Sequence, residues 1–165
     1  MNPSEARKKG WKTVGEVAAM LGTTTRTVLY YEEEEIIEPK RTARGTRFYS
    51  DPEIKRFAIA HRMSCLGFPI RTIKELALTR PASATGSESS RKLSGIVEDL
   101  IAQIERQLSH LAWLKEDLER GNELIRGCWN CPNRPTRATC PDCPCELRLD
   151  ESQLLRLTWD PEREG

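Results

Sequence analysis

The sequence of 165 residues lacks long apolar runs, and its mean hydropathy is −0.59. No stretch approaches the roughly 20 apolar residues of a transmembrane helix, and no apolar signal-peptide core follows the basic N-terminus. We therefore expect a cytoplasmic protein with no membrane partner, whose cysteines are reduced or metal-bound. Apolar residues make up 38% and charged residues 31% of the chain, which excludes one large core and favours small or elongated units.

Charge is distributed unevenly, although the formal net charge is only +1. Residues 1–80 hold 15 lysines and arginines against 10 aspartates and glutamates, whereas residues 81–165 hold 11 against 15. A basic first half indicates a part that binds a polyanion, and an acidic second half indicates a part with another task. The absence of a large pocket-forming domain argues against a bulky organic effector.

Composition also divides the chain into segments. Residues 1–12 are polar and basic, and we expect them to be mobile. The predicted divisions are a head at 13–79, a linker rich in Pro, Ser, Ala and Gly at 80–92, a long helix at 93–126 and a cysteine-rich segment with a tail at 127–165.

Two short amphipathic segments in the head predict a helix-turn-helix. Apolar residues recur at helical spacing from Val14 to Leu21, and Gly22 follows as a residue suited to end a helix. Thr24 is placed to cap the next helix at its N-terminus. Two helices joined by a tight turn with glycine form this motif. A generic pair of antiparallel helices is the alternative that spacing alone leaves open.

A short basic hairpin follows this motif. Pro39 prevents the second helix from continuing, and Arg44-Gly45 suits the tip of a hairpin between two short strands. In such a winged arrangement a helix enters the major groove while the hairpin contacts phosphates. A solvated basic loop is the alternative. Four positive charges lie within eight residues of this predicted wing: Lys40, Arg41, Arg44 and Arg47.

Two further helices are predicted after the wing. Ser50 and Glu53 have the spacing of a capping box, which predicts the start of the first one. The second is predicted from Ile70 to Leu78. Cys65 falls on the apolar side of the first helix, so we expect a buried core thiol there.

Three segments of the head resemble the DNA-binding domain of MerR-family transcription regulators: TVGEVAAMLGTTTRTVLYYEEEEII, RTARGTRFYS and LGFPIRTIKEL. The resemblance covers about residues 13–78 without gaps, and the long helix that follows is similar too. It implies a homodimer that binds a two-fold operator in double-stranded promoter DNA. It also implies that the protein distorts this operator, so that RNA polymerase meets promoter elements in register.

The resemblance assigns DNA-binding roles to individual residues. Arg26 matches the arginine in the first turn of the family's recognition helix. Tyr31 matches the second tyrosine of its Tyr-Tyr-Glu sequence, and Arg47 with Tyr49 matches the Arg-x-Tyr of its wing. Together with the basic residues of the wing, the predicted DNA-binding residues are Thr24, Thr25, Arg26, Tyr31, Lys40, Arg41, Arg44, Arg47 and Tyr49.

Three departures from the family pattern stand close to these residues. Leu29 replaces a common arginine, and Thr46 replaces a common wing tyrosine. Glu33–Glu35 replaces a stretch that usually holds a basic residue and a glycine. Three extra carboxylates near a helix that faces DNA predict weaker non-specific binding.

A seam of mostly aliphatic residues repeats at alternating spacings of four and three along the long helix. Such a helix cannot bury both flanks on a small head, so we expect it to pair with its copy in a homodimer. Packing back within one chain is the alternative. The seam positions are Leu93, Val97, Leu100, Ile104, Gln107, Leu111, Leu114, Leu118, Gly121 and Ile125.

Five of the six cysteines crowd into residues 128–145. Two C-x₂-C pairs bring four thiolates close enough for a tetrahedral ion, which predicts zinc or another thiophilic divalent metal. Four thiolates also suit an iron–sulfur cluster, the alternative cofactor. Free surface thiols or disulfides are the alternatives without a cofactor. The candidate metal ligands are Cys128, Cys131, Cys140, Cys143 and Cys145.

Two MerR-family patterns resemble parts of this cysteine segment. Cys131-x₈-Cys140 is similar to the loop of the mercury-responsive members, and Cys140-x₂-Cys143-x-Cys145 to part of the iron–sulfur motif of SoxR-type members. The metal sensors also use a cysteine at the start of the long helix, but residues 79–96 contain none. This absence argues against a site shared between subunits.

The tail after the cysteines holds too many apolar side chains for a free segment. We expect a short helix or strand that docks near the cysteine loop or on the partner subunit. The apolar residues of the tail are Leu147, Leu149, Leu154, Leu155, Leu157 and Trp159.

These patterns predict a mainly α protein: a winged helix-turn-helix head, a long coiled-coil dimerisation helix and a small metal-bound C-terminal segment. The predicted function is a dimeric DNA-binding transcription regulator that distorts a promoter operator and responds to a metal or redox signal. A regulator with a purely structural zinc site and a zinc-ribbon adaptor that binds protein are the alternatives. We expect no enzymatic activity, because the C-x₂-C at Cys128 lacks the following helix and βαβ pattern of thiol oxidoreductases.

Overall fold

A computed structural model describes residues 2–136, 139–140, 143 and 145–158. The chain divides into two compact units, residues 1–97 and 98–165. No helix in these described ranges is long and apolar enough to cross a bilayer. The elements in chain order are α1 (Pro3–Lys8), β1 (Lys12–Thr13), α2 (Val14–Met20), α3 (Thr25–Glu33), β2 (Lys40–Arg41), β3 (Arg47–Tyr49), α4 (Asp51–Cys65), α5 (Ile70–Ala82), α6 (Gly86–Arg126), a 3-10 helix (Glu146–Glu151) and α7 (Gln153–Thr158).

The N-terminal extension is ordered, so the prediction that residues 1–12 are mobile was wrong. Asn2 accepts a hydrogen bond from Ser4 N, and Glu5 accepts one from Asn2 N, which closes a capping box at the start of α1. Ala6 is fully buried, and Lys12 pairs with Tyr49 in the sheet. Local capping and strand pairing therefore order a segment that looked featureless by composition.

The helix-turn-helix and the wing form as predicted. Gly22 ends the α2 region with a φ of 62°, and Thr24 caps α3 by accepting a hydrogen bond from Thr27 N at 3.1 Å. Strands β2 and β3 form an antiparallel hairpin, and β1 pairs with the other edge of β3. Gly45 turns the hairpin with a φ of 82°.

The core of the first unit lies where α2, α3 and α4 meet the sheet. Tyr31 on α3 packs edge-on against Phe57 on α4, with ring centroids 5.1 Å apart. The most deeply buried side chains of the head come from all of these elements: Val17, Val28, Tyr31, Ile36, Ile37, Phe48, Tyr49 and Phe57. This shared core fixes the orientation of α3 relative to the wing.

The end of α3 and the turn after it contain Glu33–Glu35, the stretch predicted to depart from the pattern that the head resembles. Glu35 has a φ of 59°, which is the left-handed region that disfavours residues with a Cβ. Lys74 on α5 lies 3.4 Å from a carboxylate oxygen of Glu34 and 3.7 Å from one of Glu35. The turn therefore forms with a glutamate in the left-handed conformation, and Lys74 lies beside the two carboxylates.

Two predictions for α4 were wrong. Ser50 stands at the N-cap of α4, but its side chain makes no capping bond, and Glu53 accepts a hydrogen bond from Glu38 N at 2.7 Å, so the predicted capping box does not form. Cys65 is exposed rather than buried. Its thiol lies beside the ring of His61, one helical turn earlier, at 3.9–4.0 Å. The core is filled from the other face of α4, by Phe57 and Ala60.

The predicted linker at 80–92 is mostly helical. Helix α5 continues to Ala82, and α6 begins at Gly86. Thr85 accepts a hydrogen bond from Glu88 N at 3.1 Å, and Glu88 accepts one from Ala84 N at 3.0 Å. This reciprocal capping starts α6 seven residues before the predicted Leu93, a signal hidden by the Ser-rich composition.

Most seam positions on α6 lie open on the surface. Val97, Ile104 and Leu118 are each 42% exposed, and Leu111 is 61% exposed. Gly121 does not belong to this open seam, because it is buried beneath Ser152 and Leu154 of the tail. An aliphatic stripe open over several turns is the surface expected of a helix that pairs with a partner.

The tail docks on α6 of its own chain, as one of its two predicted placements requires. Leu155 on α7 is fully buried, and Ser152 donates a hydrogen bond to the Asp117 carbonyl. Leu147 and Leu157 remain exposed. Trp159 lies outside the described residues.

Candidate nucleic-acid interface and candidate metal centre

The N-terminus of α3 presents donors to solvent. Thr24, Thr25 and Arg26 are all exposed, and the first turn carries no acidic residue. Backbone N–H groups and the positive end of the helix dipole favour an anion at this position. The exposed arginine adds a side chain able to bind guanine or phosphate through two parallel hydrogen bonds.

The wing presents further cations. Lys40 and Arg44 are exposed, and Arg44 stands next to the hairpin tip. The hairpin is closed by Thr42, which donates from its N–H to the Thr46 carbonyl at 2.9 Å and accepts from Thr46 N through its hydroxyl at 3.0 Å. The two hydrogen bonds between Thr42 and Thr46 hold the hairpin closed beneath these exposed cations.

The other two wing arginines, Arg41 and Arg47, form ion pairs with Glu32 on α3. Arg47 Nε lies 2.8 Å from Glu32 Oε2, and Arg41 forms an ion pair with Oε1 of the same carboxylate. The Tyr49 hydroxyl donates to Glu32 Oε2 at 3.0 Å. We call Glu32, Arg41, Arg47 and Tyr49 the Glu32 cluster. Glu32 was not among the predicted DNA-binding residues, although it is the last residue of the Tyr-Tyr-Glu sequence.

Both predicted DNA-binding tyrosines are turned into the protein. Tyr31 is 2% exposed, and its hydroxyl points to the Ala60 carbonyl at 3.5 Å. Tyr49 is equally buried. Burial raises the pKa of both phenols, and for Tyr49 the adjacent Glu32 carboxylate raises the pKa further. These hydroxyls therefore stay protonated and support the surface from beneath.

Three of the five clustered cysteines converge. The Sγ atoms of Cys128, Cys143 and Cys145 all lie within 4.8 Å of one another, and those of Cys128 and Cys145 are 3.1 Å apart. We call these three residues the cysteine triad. Cys131 is exposed and Cys140 is half-buried, and neither belongs to this group. The structure thus separates the five candidate ligands into three that converge and two that do not.

The end of α6 and the start of the 3-10 helix position the triad. A turn follows α6, in which Cys128 N donates to the Ile125 carbonyl at 2.9 Å. Cys145 immediately precedes the 3-10 helix, is 2% exposed, and donates its thiol proton to the Leu124 carbonyl at 2.9 Å. Residues far apart in the chain are therefore brought together by the return of the tail onto α6.

The triad thiols differ in acidity. Backbone N–H groups of Cys145 and Glu146 donate to the Cys143 sulfur and lower its pKa, and the hydrogen bond from the Cys128 thiol adds to this. Burial, followed by the neighbouring Cys128, raises the pKa of Cys145 to about 12. The Cys143 thiol therefore loses its proton more readily than the Cys145 thiol does.

The donor set fits a thiophilic ion. In a tetrahedral zinc site with Zn–S bonds of about 2.3 Å, two sulfurs are separated by about 3.8 Å. The Cys128–Cys145 separation of 3.1 Å is shorter than this value, and all three sulfurs lie within 4.8 Å of one another, close enough for one ion to be bound by all of them after side-chain adjustment. Three thiolates leave room for one further ligand.

A carboxylate on α6 anchors the tail that carries Cys145. Asp117 accepts hydrogen bonds from Gln153 N at 2.7 Å and Leu154 N at 2.9 Å, at the N-terminus of α7. Burial acts to raise the Asp117 pKa, but these bonds and one from Ser152 outweigh it and lower the pKa. The anchor ties the position of the triad to α6.

Comparisons with known proteins agree with this architecture. The family described as MerR HTH family regulatory protein matches residues 12–79. The HTH-type transcriptional regulator ZntR of Escherichia coli is 31% identical over 117 residues, which span 69% of this chain and 80% of ZntR. Relatives of this kind are transcriptional regulators, not enzymes.

Two solved structures share the fold. A MerR family transcriptional regulator from Listeria monocytogenes superposes with a TM-score of 0.55 at 18% identity, over 67% of this chain and 86% of that chain. The transcription regulator PbrR691 of Ralstonia metallidurans, solved in complex with lead(II), superposes with a TM-score of 0.50 at 21% identity, over 78% and 94%. Taken with the ZntR match, these findings show that the chain belongs to the MerR family of helix-turn-helix transcriptional regulators.

Proposed function

We propose that this protein is a homodimeric regulator that binds and distorts promoter DNA through its heads and responds to a thiophilic metal ion held by Cys128, Cys143 and Cys145. The observation that carries the proposal is the convergence of three thiols within 4.8 Å in a chain of this family. A binding site for a soft cation joined to a DNA-binding head is the arrangement a metal-responsive regulator needs.

Exposed donors and cations support the DNA-binding part. We assign direct contacts to the N-terminus of α3 and to the wing, and supporting roles to Tyr31 and Tyr49, which are buried. The residues assigned to direct contacts are Thr24, Thr25, Arg26, Lys40, Arg41, Arg44 and Arg47. We also propose, because the chain belongs to the MerR family, that the protein distorts its operator and acts with RNA polymerase in the cytoplasm.

The open aliphatic stripe of α6 supports the homodimer. Leu108 and Leu111 are each 61% exposed, and Leu114 is 43% exposed, which is costly for a helix that stays alone in water. A second copy of the same helix supplies a matching stripe. Two heads held by one paired helix then meet the two halves of a symmetric operator.

The donor chemistry supports zinc or another thiophilic divalent metal at the triad. Thiolate ligands select such ions over magnesium or calcium. The related fold of PbrR691 holds lead(II), which is also a soft cation. An iron–sulfur cluster needs four ligands, and among the described residues only three cysteines converge, so we favour a single ion.

Metal analysis of cysteine variants tests the proposed site. We expect protein purified without air to carry about one metal ion per chain and to lack the visible absorption of an iron–sulfur cluster. C128S, C143S and C145S should each lose the metal, whereas C131S and C140S should retain it. Equal loss in all five variants, or a visible cluster spectrum, would contradict the triad.

Transcription measurements separate a metal sensor from a purely structural metal site. The hydrogen bond from the Cys145 thiol to the Leu124 carbonyl favours the structural role, because it ties the tail to α6. The template carries a duplex that the wild-type protein selects from a random pool, placed between promoter elements. For a sensor, zinc changes transcription by RNA polymerase while the folded content stays constant. For a structural zinc, chelation unfolds the tail and no graded response appears. A zinc-ribbon adaptor would bind no duplex with a steep salt dependence.

A further inference from the structure

Every hydrogen bond that joins α3 to the wing strands, within the described part of the chain, ends on the carboxylate of Glu32. Arg41 comes from β2, whereas Arg47 and Tyr49 come from β3. The wing strands pair with each other and with β1, and not with α3. One side chain therefore connects by hydrogen bonds the two elements that we assign to the DNA surface.

The burial of the Glu32 cluster decreases outward. Tyr49 is 1% exposed, the Glu32 side chain 13%, the Arg47 side chain 34% and the Arg41 side chain 52%. The carboxylate thus lies beneath two guanidinium groups that face solvent. Arg47 reaches it through Nε, and a guanidinium carries further N–H donors on its terminal nitrogens.

A carboxylate at this place has two opposite effects on DNA binding. It neutralises one of two adjacent positive charges, which lowers the attraction for any phosphate backbone. It also fixes the direction in which both arginines point, since a charge-assisted hydrogen bond orients a guanidinium strongly. Fixed cations contact phosphates only when the duplex adopts a matching path, so the second effect favours a particular operator shape.

We infer that Glu32 is a positioning residue that sets the discrimination between operator and non-specific DNA, by holding Arg41 and Arg47 of the wing against α3. The inference rests on the proposed DNA-binding function of the head. Glu32 touches no DNA itself. It acts through the two arginines and lowers the affinity for duplexes that do not fit their fixed positions.

Glu32→Gln tests this inference, with Glu33→Gln as the matched control. Glu33 is the next residue of the same helix and is exposed. Its substitution by Gln removes the same formal charge without breaking a hydrogen bond to the wing. Binding is measured by fluorescence anisotropy across a salt series. One labelled duplex has random sequence, and the other is the duplex that the wild-type protein selects from a random pool.

We expect E32Q to bind the random duplex more tightly, with a salt slope steeper by about one phosphate contact, roughly 0.9 in log–log units. The ratio of affinities for selected over random duplex should fall about tenfold, the size expected when one oriented contact is lost. E33Q should raise both affinities alike and leave the ratio unchanged. Identical behaviour of E32Q and E33Q would reduce Glu32 to a bulk charge and overturn the inference.

Tyr49→Phe provides a test without any change in charge. It removes only the hydroxyl that donates to Glu32 Oε2. Tyr49 is 1% exposed, so this hydroxyl cannot contact DNA directly. We expect a smaller fall in the same ratio, with an unchanged salt slope because no charge is removed. A parallel loss of both affinities in E32Q and Y49F would indicate a merely structural role and overturn the inference. If the wild-type protein shows no preference for any duplex, the proposed function fails instead.

Discussion

Gly121 on α6 lies directly beneath Ser152, so close that a Cβ at Gly121 would stand 2.8 Å from the Ser152 Oγ. The same Cβ would stand 3.0 Å from Leu154 Cδ2. A glycine in the middle of a helix costs conformational freedom, and here it allows the tail to approach the helix backbone. The same tail carries Cys145, whose thiol donates a hydrogen bond to the Leu124 carbonyl near the end of α6.

Gly121→Ala should loosen the tail. Overpacking against Ser152 and Leu154 costs about 1–3 kcal/mol, which exceeds the gain of about 1 kcal/mol from the better helix propensity of alanine. We expect faster hydrogen exchange in residues 152–158 and weaker metal retention. Gly95→Ala is the control, because nothing lies within 4 Å of its added Cβ, and it should raise the melting temperature. Equal protection of the tail in both variants would show that the close approach is unimportant.

The Asp117 anchor should make the tail sensitive to acid. Its folded-state pKa is lowered, so its contribution to stability is complete above the unfolded value of about 3.9 and is lost as the pH falls through the folded value. We expect exchange protection of residues 153–155 to stay constant down to about pH 5 and to decline as the pH falls below about 4. In Asp117→Asn, protection should be low and independent of pH over this window. Asp99→Asn, an exposed substitution on the same helix, should behave like the wild type.

Glu35→Gly should stabilise the head. Glu35 adopts a φ of 59°, and a residue with a Cβ pays roughly 1–2 kcal/mol in the left-handed region. The pair with Lys74 is exposed on the Glu35 side and contributes little. We expect the free energy of unfolding to rise by about 0.5–1 kcal/mol in a urea titration, because part of the relief is offset by the greater entropy of glycine in the unfolded chain. Glu35→Gln keeps the Cβ and should leave stability nearly unchanged.

Arg44→Ala should weaken DNA binding without altering sequence preference. Arg44 is exposed beside the hairpin tip, where a phosphate contact carries no base information. Affinities for selected and random duplexes should fall by a similar factor, and the salt slope should decrease by about 0.9. Arg106→Ala removes the same charge from α6 and should change neither quantity. A loss restricted to the selected duplex would show instead that Arg44 reads bases.

Leu111→Glu should dissociate the homodimer. Leu111 is 61% exposed and lies in the aliphatic stripe, so pairing would bury a carboxylate against apolar side chains. Sedimentation analysis should show a monomer, and binding of a two-fold duplex should fall steeply. Ala112→Glu places the same charge on the neighbouring, exposed position outside the stripe and should remain dimeric. A dimer that persists in L111E would place the interface elsewhere.

Elements with local signals could be predicted from the amino-acid sequence. Gly22, Thr24, Pro39 and Gly45 define the helix-turn-helix and the wing, because turns and caps depend on the conformational preferences of single residues. The repeat of aliphatic residues predicted α6 as a long helix with one apolar face. The capping bonds of Thr85 and Glu88, which start the helix earlier than predicted, were not part of that prediction. Clustered cysteines likewise marked the metal-binding segment before any geometry was known.

The contacts between distant side chains could not be predicted in this way. Glu32 stands 15 residues from Arg47, and Cys128 stands 17 residues from Cys145, so spacing carries no information on either contact. The side chains of Tyr31 and Tyr49 are buried in the folded head. Of the five clustered cysteines, the three that converge are those that the packing of the tail brings together. Such pairings follow from how whole elements pack into one core, which is a property of the folded chain and of no segment within it.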